Sequence, residues 1–129
     1  MCVDDGIQAA ADAIIRNNIV SDAGGDLLHI REHQSAKPGN MLIEKNTFVR
    51  GRKGGNGIRV QRPAGGYTGD IEIRNNAIFA PTALRLDRGS QIKLRGNVAS
   101  RDAGENLDKD LLPNPGSHLL DKDAGARRP

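Results

Sequence analysis

The sequence predicts an all-β solenoid of stacked coils, on the strength of two repeating motifs. In the first motif an aliphatic run, a basic residue, an asparagine and another apolar residue follow one another, in IIRNNIV (14–20), LIEKNTFV (42–49), IEIRNNAIF (71–79) and IKLRGNV (92–98). The aligned asparagines are 28, 30 and 21 residues apart, at Asn18, Asn46, Asn76 and Asn97. A period of this length is typical of solenoids and propellers.

A second motif, with apolar and polar residues in alternation, precedes each copy of the first: GIQA (6–9), LLHI (27–30), GIRV (57–60) and ALRL (83–86). Its aligned residues are 21, 30 and 26 positions apart, so the two ladders keep step: Ile7, Leu28, Ile58 and Leu84. Short alternating segments predict strands, because successive side chains of a strand point to opposite faces. We therefore expect three short strands in each coil: this motif, the aliphatic run before the asparagine, and the apolar pair after it.

The asparagine between the second and third strands is interpreted as a corner residue. Asparagine tolerates the left-handed backbone conformation, so it permits a tight bend. The same asparagine in successive coils can also stack as a hydrogen-bonded ladder. We assign residues 1–100 to the coils and residues 101–129 to an irregular carboxy-terminal cap or tail.

Composition narrows the function. The chain of 129 residues has no Trp, one Tyr and two Phe, so aliphatic side chains must form its core, and few aromatic rings are available to stack on nucleic-acid bases. The net charge of +3, from 19 basic and 16 acidic residues, favours polyanions without selecting one. The single cysteine, Cys2, excludes an intrachain disulfide. Without a long apolar segment or a signal-peptide pattern, we expect a soluble chain with no membrane partner and no export signal.

The asparagine-cornered coils resemble the right-handed parallel β-helix of pectate-lyase-like proteins, which are typically extracellular or periplasmic. The tail DLLPNPGSHLLDKDAGARRP (110–129) is similar to the closing segment of many bacterial polysaccharide-directed β-helix proteins. The resemblance implies a right-handed parallel β-helix, and the two ladders that keep step predict about four to five coils. Those proteins usually have more coils and a helical amino-terminal cap, so we interpret the chain as the last coils of a longer ancestor or as a gene fragment.

The two ends of the stack are expected to differ. The tail is long enough to fold across the last coil, with its leucines as plugs: Leu111, Leu112, Leu119 and Leu120. At the other end the first coil begins near Asp5, and MCVD is too short to cover it. Because unpaired strand edges promote association, we expect self-association through the amino-terminal coil, or fraying of that coil.

The outer face of the first strand in each coil is the candidate substrate-binding surface. Strand alternation places one file of side chains outward, and a second file follows it: Gln8, His29, Arg59 and Arg85, then Arg31, Gln61 and Asp87. Coils lie ~4.8 Å apart, close to one sugar ring, so arginines in a row could contact successive carboxylates or sulfates. The resemblance implies a substrate groove on this face, with substrate-binding roles for Gln8, His29, Arg31, Arg59, Arg85 and Asp87. The alternative is that these are solvated strand residues, with Asp87 offsetting nearby charge.

Calcium is the cofactor considered, with oxygen ligands from the aligned residues Asp5, Asp26 and Asn56. The resemblance implies a calcium-assisted β-elimination on uronates, for which Arg59 or Arg85 would be the base or the carboxylate clamp and Lys53 a loop alternative. Two facts oppose this chemistry: arginine is almost always protonated, and Asp or Asn before a strand is an ordinary turn former.

The remaining motifs give little indication of a binding or catalytic site. The three histidines have no metal-ligand spacing: His29, His33 and His118. GRKGGNG lacks the ending of a phosphate-binding loop, and Cys2 has no evident base partner.

Two functions from different classes stay open. The first is an acidic-polysaccharide-binding β-helix that resembles the carboxy-terminal part of a polysaccharide lyase. The second is a non-catalytic structural or adhesion module, which includes an inactive gene fragment. The small number of coils and the lack of a convincing acid–base pair favour the second, and whether the chain is an enzyme stays open.

Overall fold

The structure is a computed structural model that describes residues 7–21, 25–49, 56–101 and 103–127. The strands are β1 Ile7–Ala9, β2 Ile14–Arg16, β3 Ile19–Ser21, β4 Leu28–Ile30, β5 Met41–Glu44, β6 Thr47–Val49, β7 Asn56–Val60, β8 Ile71–Arg74, β9 Ala77–Phe79, β10 Thr82–Leu86, β11 Ile92–Arg95 and β12 Val98–Ser100. One short helix, α1, spans His118–Asp121.

Every third strand pairs in parallel, which gives three sheets of four strands. The first sheet has the order β1-β4-β7-β10, the second β11-β8-β5-β2 and the third β12-β9-β6-β3. The described strands therefore form four stacked coils, over residues 7–21, 28–49, 56–79 and 82–100. This arrangement confirms the all-β, parallel, stacked architecture that the two motifs predict.

The core lies between the three sheets and is built from the aliphatic residues of each coil. In β8, Ile71 and Ile73 are fully buried whereas Glu72 between them is exposed, as alternation predicts. The second strand-like motif is also confirmed, since Leu28 is the register partner of both Ile7 and Ile58. Stacking of like residues in adjacent coils gives a continuous apolar interior.

The asparagine ladder is present, but the left-handed corner residue is its predecessor. Positive φ angles of 54° to 66° occur at the four positions directly before the ladder: Asn17, Lys45, Asn75 and Gly96. The interpretation of the ladder asparagine itself as the left-handed residue is therefore wrong. The two tasks are divided because the ladder side chain must point into the stack, while the bend can be made by a residue whose side chain faces outward.

Each ladder asparagine bonds to the next coil. The Oδ1 atom of Asn76 accepts hydrogen bonds from the backbone N and from Nδ2 of Asn46, both at 3.0 Å. The Nδ2 atom of Asn76 donates to Ile43 O at 3.0 Å and to Asn97 Oδ1 at 2.9 Å. Asn46 and Asn76 are completely buried, so the ladder supplies the hydrogen bonds that the corner backbone would otherwise lack.

The tail packs along the outer face of the third sheet. Its buried leucines, Leu107 and Leu119, contact Ala77 and Phe79, which point outward from β9. Beyond α1 the tail passes the corners of successive coils: Gly125 N donates to Asn75 O, Ala126 N to Thr47 Oγ1, and Arg127 N to Asn17 Oδ1. The tail therefore runs from the last coil back to the first.

The expected placement of the tail leucines across the last coil is wrong. Leu119 is fully buried against the third sheet, and Leu120 is 45% exposed. Leu94, which points inward from β11 in the last coil, is 51% exposed. The apolar outer face of β9 takes the tail, so part of the last coil stays uncovered. Residues 1–6, on which the expected exposure of the first coil depends, lie outside the described residues.

Candidate glycan-binding face

The first predicted file is a continuous row on the outer face of the first sheet. Gln8 is the register partner of His29, His29 of Arg59, and Arg59 of Arg85. Parallel pairing places consecutive members ~4.8 Å apart along the axis. We call this row the arginine file.

The second predicted file follows the first at the ends of the same strands. Arg31 N donates to Ala9 O, Gln61 N to Ile30 O and Asp87 N to Val60 O, so each residue is tied to the coil before it. The two files also contact each other, because the His29 ring hydrogen-bonds to the Gln61 side chain. The structure therefore brings together all six predicted substrate-binding residues on one face.

Arg59 and Asp87 form an ion pair between the files, with Arg59 Nη1 3.1 Å from Asp87 Oδ1. The Arg59 side chain is only 13% exposed, and its guanidinium also donates to Val60 O. The second Asp87 oxygen accepts the backbone N–H of Arg62 at 2.9 Å. This hydrogen bond from Arg62, together with the Arg59 guanidinium, lowers the pKa of Asp87. Asp87 is thus ionised at neutral pH, and Arg59 is held in place as its counter-ion.

Tyr67 contacts Asp87 from the core side, and sequence reasoning did not identify it as part of this face. Its hydroxyl donates to Asp87 O at 2.8 Å, and its ring is buried in the core. Burial is the main cause that raises the pKa of Tyr67, so the hydroxyl stays protonated and keeps its role as donor. The signal available was that Tyr67 is the only tyrosine, but nothing near it in sequence indicates contact with Asp87.

Four exposed arginines lie in the two files or directly beside them in sequence: Arg31, Arg62, Arg85 and Arg88. None of them has an ion pair within the described ranges. Arg62 and Arg88 were not part of the predicted files, although each lies next to a member of the second file. The face therefore has a positive surplus that is accessible to a ligand.

The predicted calcium ligands are placed differently. Asn56 Nδ2 and N donate to Asp26 Oδ1 at 2.7 and 3.2 Å, while His29 Nδ1 is 3.8 Å from Asp26 Oδ2. Asp26 thus acts toward Asn56 as one ladder asparagine acts toward the next. Over the described part of the chain, no three His, Cys, Asp or Glu residues converge as metal ligands. Asp5, Lys53 and Cys2 lie outside that part.

The other two histidines belong to neither file. His33 forms an isolated backbone bridge with Ala36, and His118 is the first residue of α1. Neither contributes to the arginine file.

No protein-family model, curated protein or solved structure matches the chain. Among the described residues, no helix has the length and apolar character needed to cross a membrane. The function must therefore be argued from the face itself.

Proposed function

We propose that the chain binds an acidic polysaccharide along the outer face of its first sheet. One observation carries the proposal: the arginine file, which ends in Arg59 and Arg85, is flanked by exposed arginines. The neighbouring acid of the second file, Asp87, is paired with Arg59. A linear glycan lying along the solenoid axis would meet an exposed arginine at each of the last three coils: Arg31, Arg62 and Arg85. Guanidinium groups suit carboxylates and sulfates because they donate two parallel hydrogen bonds.

The same geometry favours binding over catalysis. A β-elimination needs a group that can accept a proton, and an arginine side chain is almost always protonated in proteins. The His29 ring, which could accept a proton, is engaged by the Gln61 side chain. Asp87 is ionised, but its lowered pKa makes it a weak base, and its two oxygens are occupied by Arg59 and by the backbone N–H of Arg62. A non-catalytic glycan-binding module is accordingly the form of the proposal that we adopt.

The hand of the solenoid and its family are also matters of proposal. We infer a right-handed parallel β-helix related to the pectate-lyase-like group. Right-handed crossovers strongly predominate between parallel strands of one sheet, which supports that hand. The asparagine ladder and the third-sheet tail support the resemblance from which the assignment comes.

The experiment compares retention on alginate and heparin matrices during a salt gradient. Arg85→Ala with Arg88→Ala removes two exposed cations and leaves the Arg59–Asp87 pair intact. Exposed ion pairs contribute ~0.2–1 kcal/mol each, so affinity should fall about 2- to 30-fold. Retention should also weaken as salt screens charges over ~8 Å at physiological ionic strength.

Arg101→Ala with Lys109→Ala is the matched control, because both residues are exposed in the tail and the same charge is lost. Equal loss of retention in both double variants would show that net charge alone acts, and would refute a site on the first sheet. Formation of an unsaturated, ultraviolet-absorbing product from polygalacturonate would contradict the non-catalytic form of the proposal.

A further inference from the structure

A ladder of alternating charge crosses the outer face of the second sheet. Arg16, Glu44 and Arg74 are successive register partners. Glu44 accepts a hydrogen bond from each neighbour, from Arg16 Nε at 2.6 Å and from Arg74 Nε at 2.8 Å. On this face, therefore, the acid Glu44 pairs with an arginine on each side of it.

The alternation ends at the last coil. Arg95 is the register partner of Arg74, and Lys93 is the partner of Glu72, whose carboxylate lies 3.5 Å from Arg74 Nη1. In the part of the chain that the structure describes, neither Lys93 nor Arg95 has an ion pair. Together with Leu94 and with Glu72 and Arg74 of β8, they line a surface depression of about 300 Å³. The charge alternation would continue if acidic residues lay over Lys93 and Arg95.

The backbone of β11 is also open at this edge. Ile71 N donates to Gln91 O and Asn75 N donates to Arg95 O, so the odd-numbered residues of β11 face β8. Because the direction alternates along a strand, Leu94 points its N–H and C=O away from β8, and β11 is the outermost strand of its sheet. The Leu94 side chain points inward and is half exposed. We call this surface the β11 edge.

We propose that the β11 edge binds an acidic, extended strand of a partner protein, which adds in parallel as a further strand of the second sheet. Its aliphatic residues would continue the core above Ile92 and Leu94. Its Asp or Glu residues would lie over Lys93 and Arg95, as Glu44 lies over Arg74. Addition of a strand to an open edge is an established mode of peptide recognition, in which backbone bonds give affinity and alternate side chains give specificity.

Charge disfavours stacking of a second copy, and chemistry disfavours a glycan. A second copy stacked head to tail would place Arg16 over Arg95, and two copies joined through their last coils would bring the same cations together. An acidic polysaccharide matches the charges, but it offers neither the alternating N–H and C=O groups for Leu94 nor aliphatic groups for the core. An acidic strand satisfies all three requirements.

The test uses fluorescein-labelled peptides and the full chain. The acidic peptide IEIENNVT places its second glutamate over Arg95 in the expected register, and IEIKNNVT places a lysine there. Wild type should bind the first peptide more tightly by about 3- to 10-fold, since opposite and like charges across strands differ by this order. Arg95→Glu should reverse the preference, and it should keep the fold because the new glutamate would face Arg74 as Glu44 does.

Two controls keep the proposal falsifiable. The scrambled peptide EEIINVNT has the same composition without alternation, and binding as tight as that of IEIENNVT would overturn strand addition. Amide exchange supplies the structural readout: the peptide should slow exchange at Leu94 several-fold and leave Arg95, which already bonds toward β8, nearly unchanged. Absence of protection at Leu94, or equal protection by a heparin oligosaccharide, would refute the proposal.

Discussion

Replacement of Asn76 by alanine tests the interior of the asparagine ladder. The substitution removes two donated hydrogen bonds, to Ile43 O and Asn97 Oδ1, and the acceptor used by Asn46. The N–H of Asn46 would then be buried without a partner, at a cost of ~1–3 kcal/mol, and each lost neutral hydrogen bond contributes ~0.5–1.5 kcal/mol. We expect Asn76→Ala to lower the free energy of unfolding by about 2–6 kcal/mol.

Asn18→Ala is the matched control at the end of the same ladder. Asn18 donates to Arg16 O and Asn46 Oδ1, but within the described residues its own Oδ1 accepts nothing, so its loss leaves no buried N–H without a partner. We expect a decrease of ~1 kcal/mol. Urea unfolding followed by circular dichroism would measure both values. If Asn76→Ala cost no more than Asn18→Ala, the stabilisation would come from apolar stacking alone and the ladder argument would fail.

Two further predictions concern acid stability and the tail. Hydrogen bonds from Arg74 and Arg16 lower the pKa of Glu44 below 4.5, so its stabilisation is complete above that pH and is lost as the pH falls through the lowered value. The difference in urea midpoint between wild type and Glu44→Gln should therefore be largest at neutral pH and shrink in acid; a constant difference would refute the charge pairing. Leu119→Ala should destabilise by ~2–4 kcal/mol because Leu119, in the tail, is fully buried against the third sheet, whereas Leu120→Ala should cost well under ~1 kcal/mol. Equal melting temperatures for these two variants would show that the tail does not pack on the third sheet.

The sequence was enough to predict which residues of the candidate face align in a row, but it was not enough to predict which of their charges pair. The spacing of Gln8, His29, Arg59 and Arg85 is enough to place them in one row once the coils are recognised. The sequence could not show that the Arg59 side chain forms an ion pair with Asp87, because 28 residues separate the two and arginine has many rotamers. The contribution of Tyr67 was hidden for the same reason.

The sequence by itself determined the strands, their parallel order and the ladder. These features repeat from coil to coil, and each coil contacts mainly its neighbours, so a period in sequence becomes a register in space. What only the tertiary structure decided was the path of the tail and the open end of the last coil. In AIF, at 77–79, all three residues are apolar and buried, so no alternation indicates that Ile78 enters the core while Ala77 and Phe79 face the tail. The tail follows that second apolar face because packing there removes apolar surface from water, while Leu94 at the β11 edge stays half exposed.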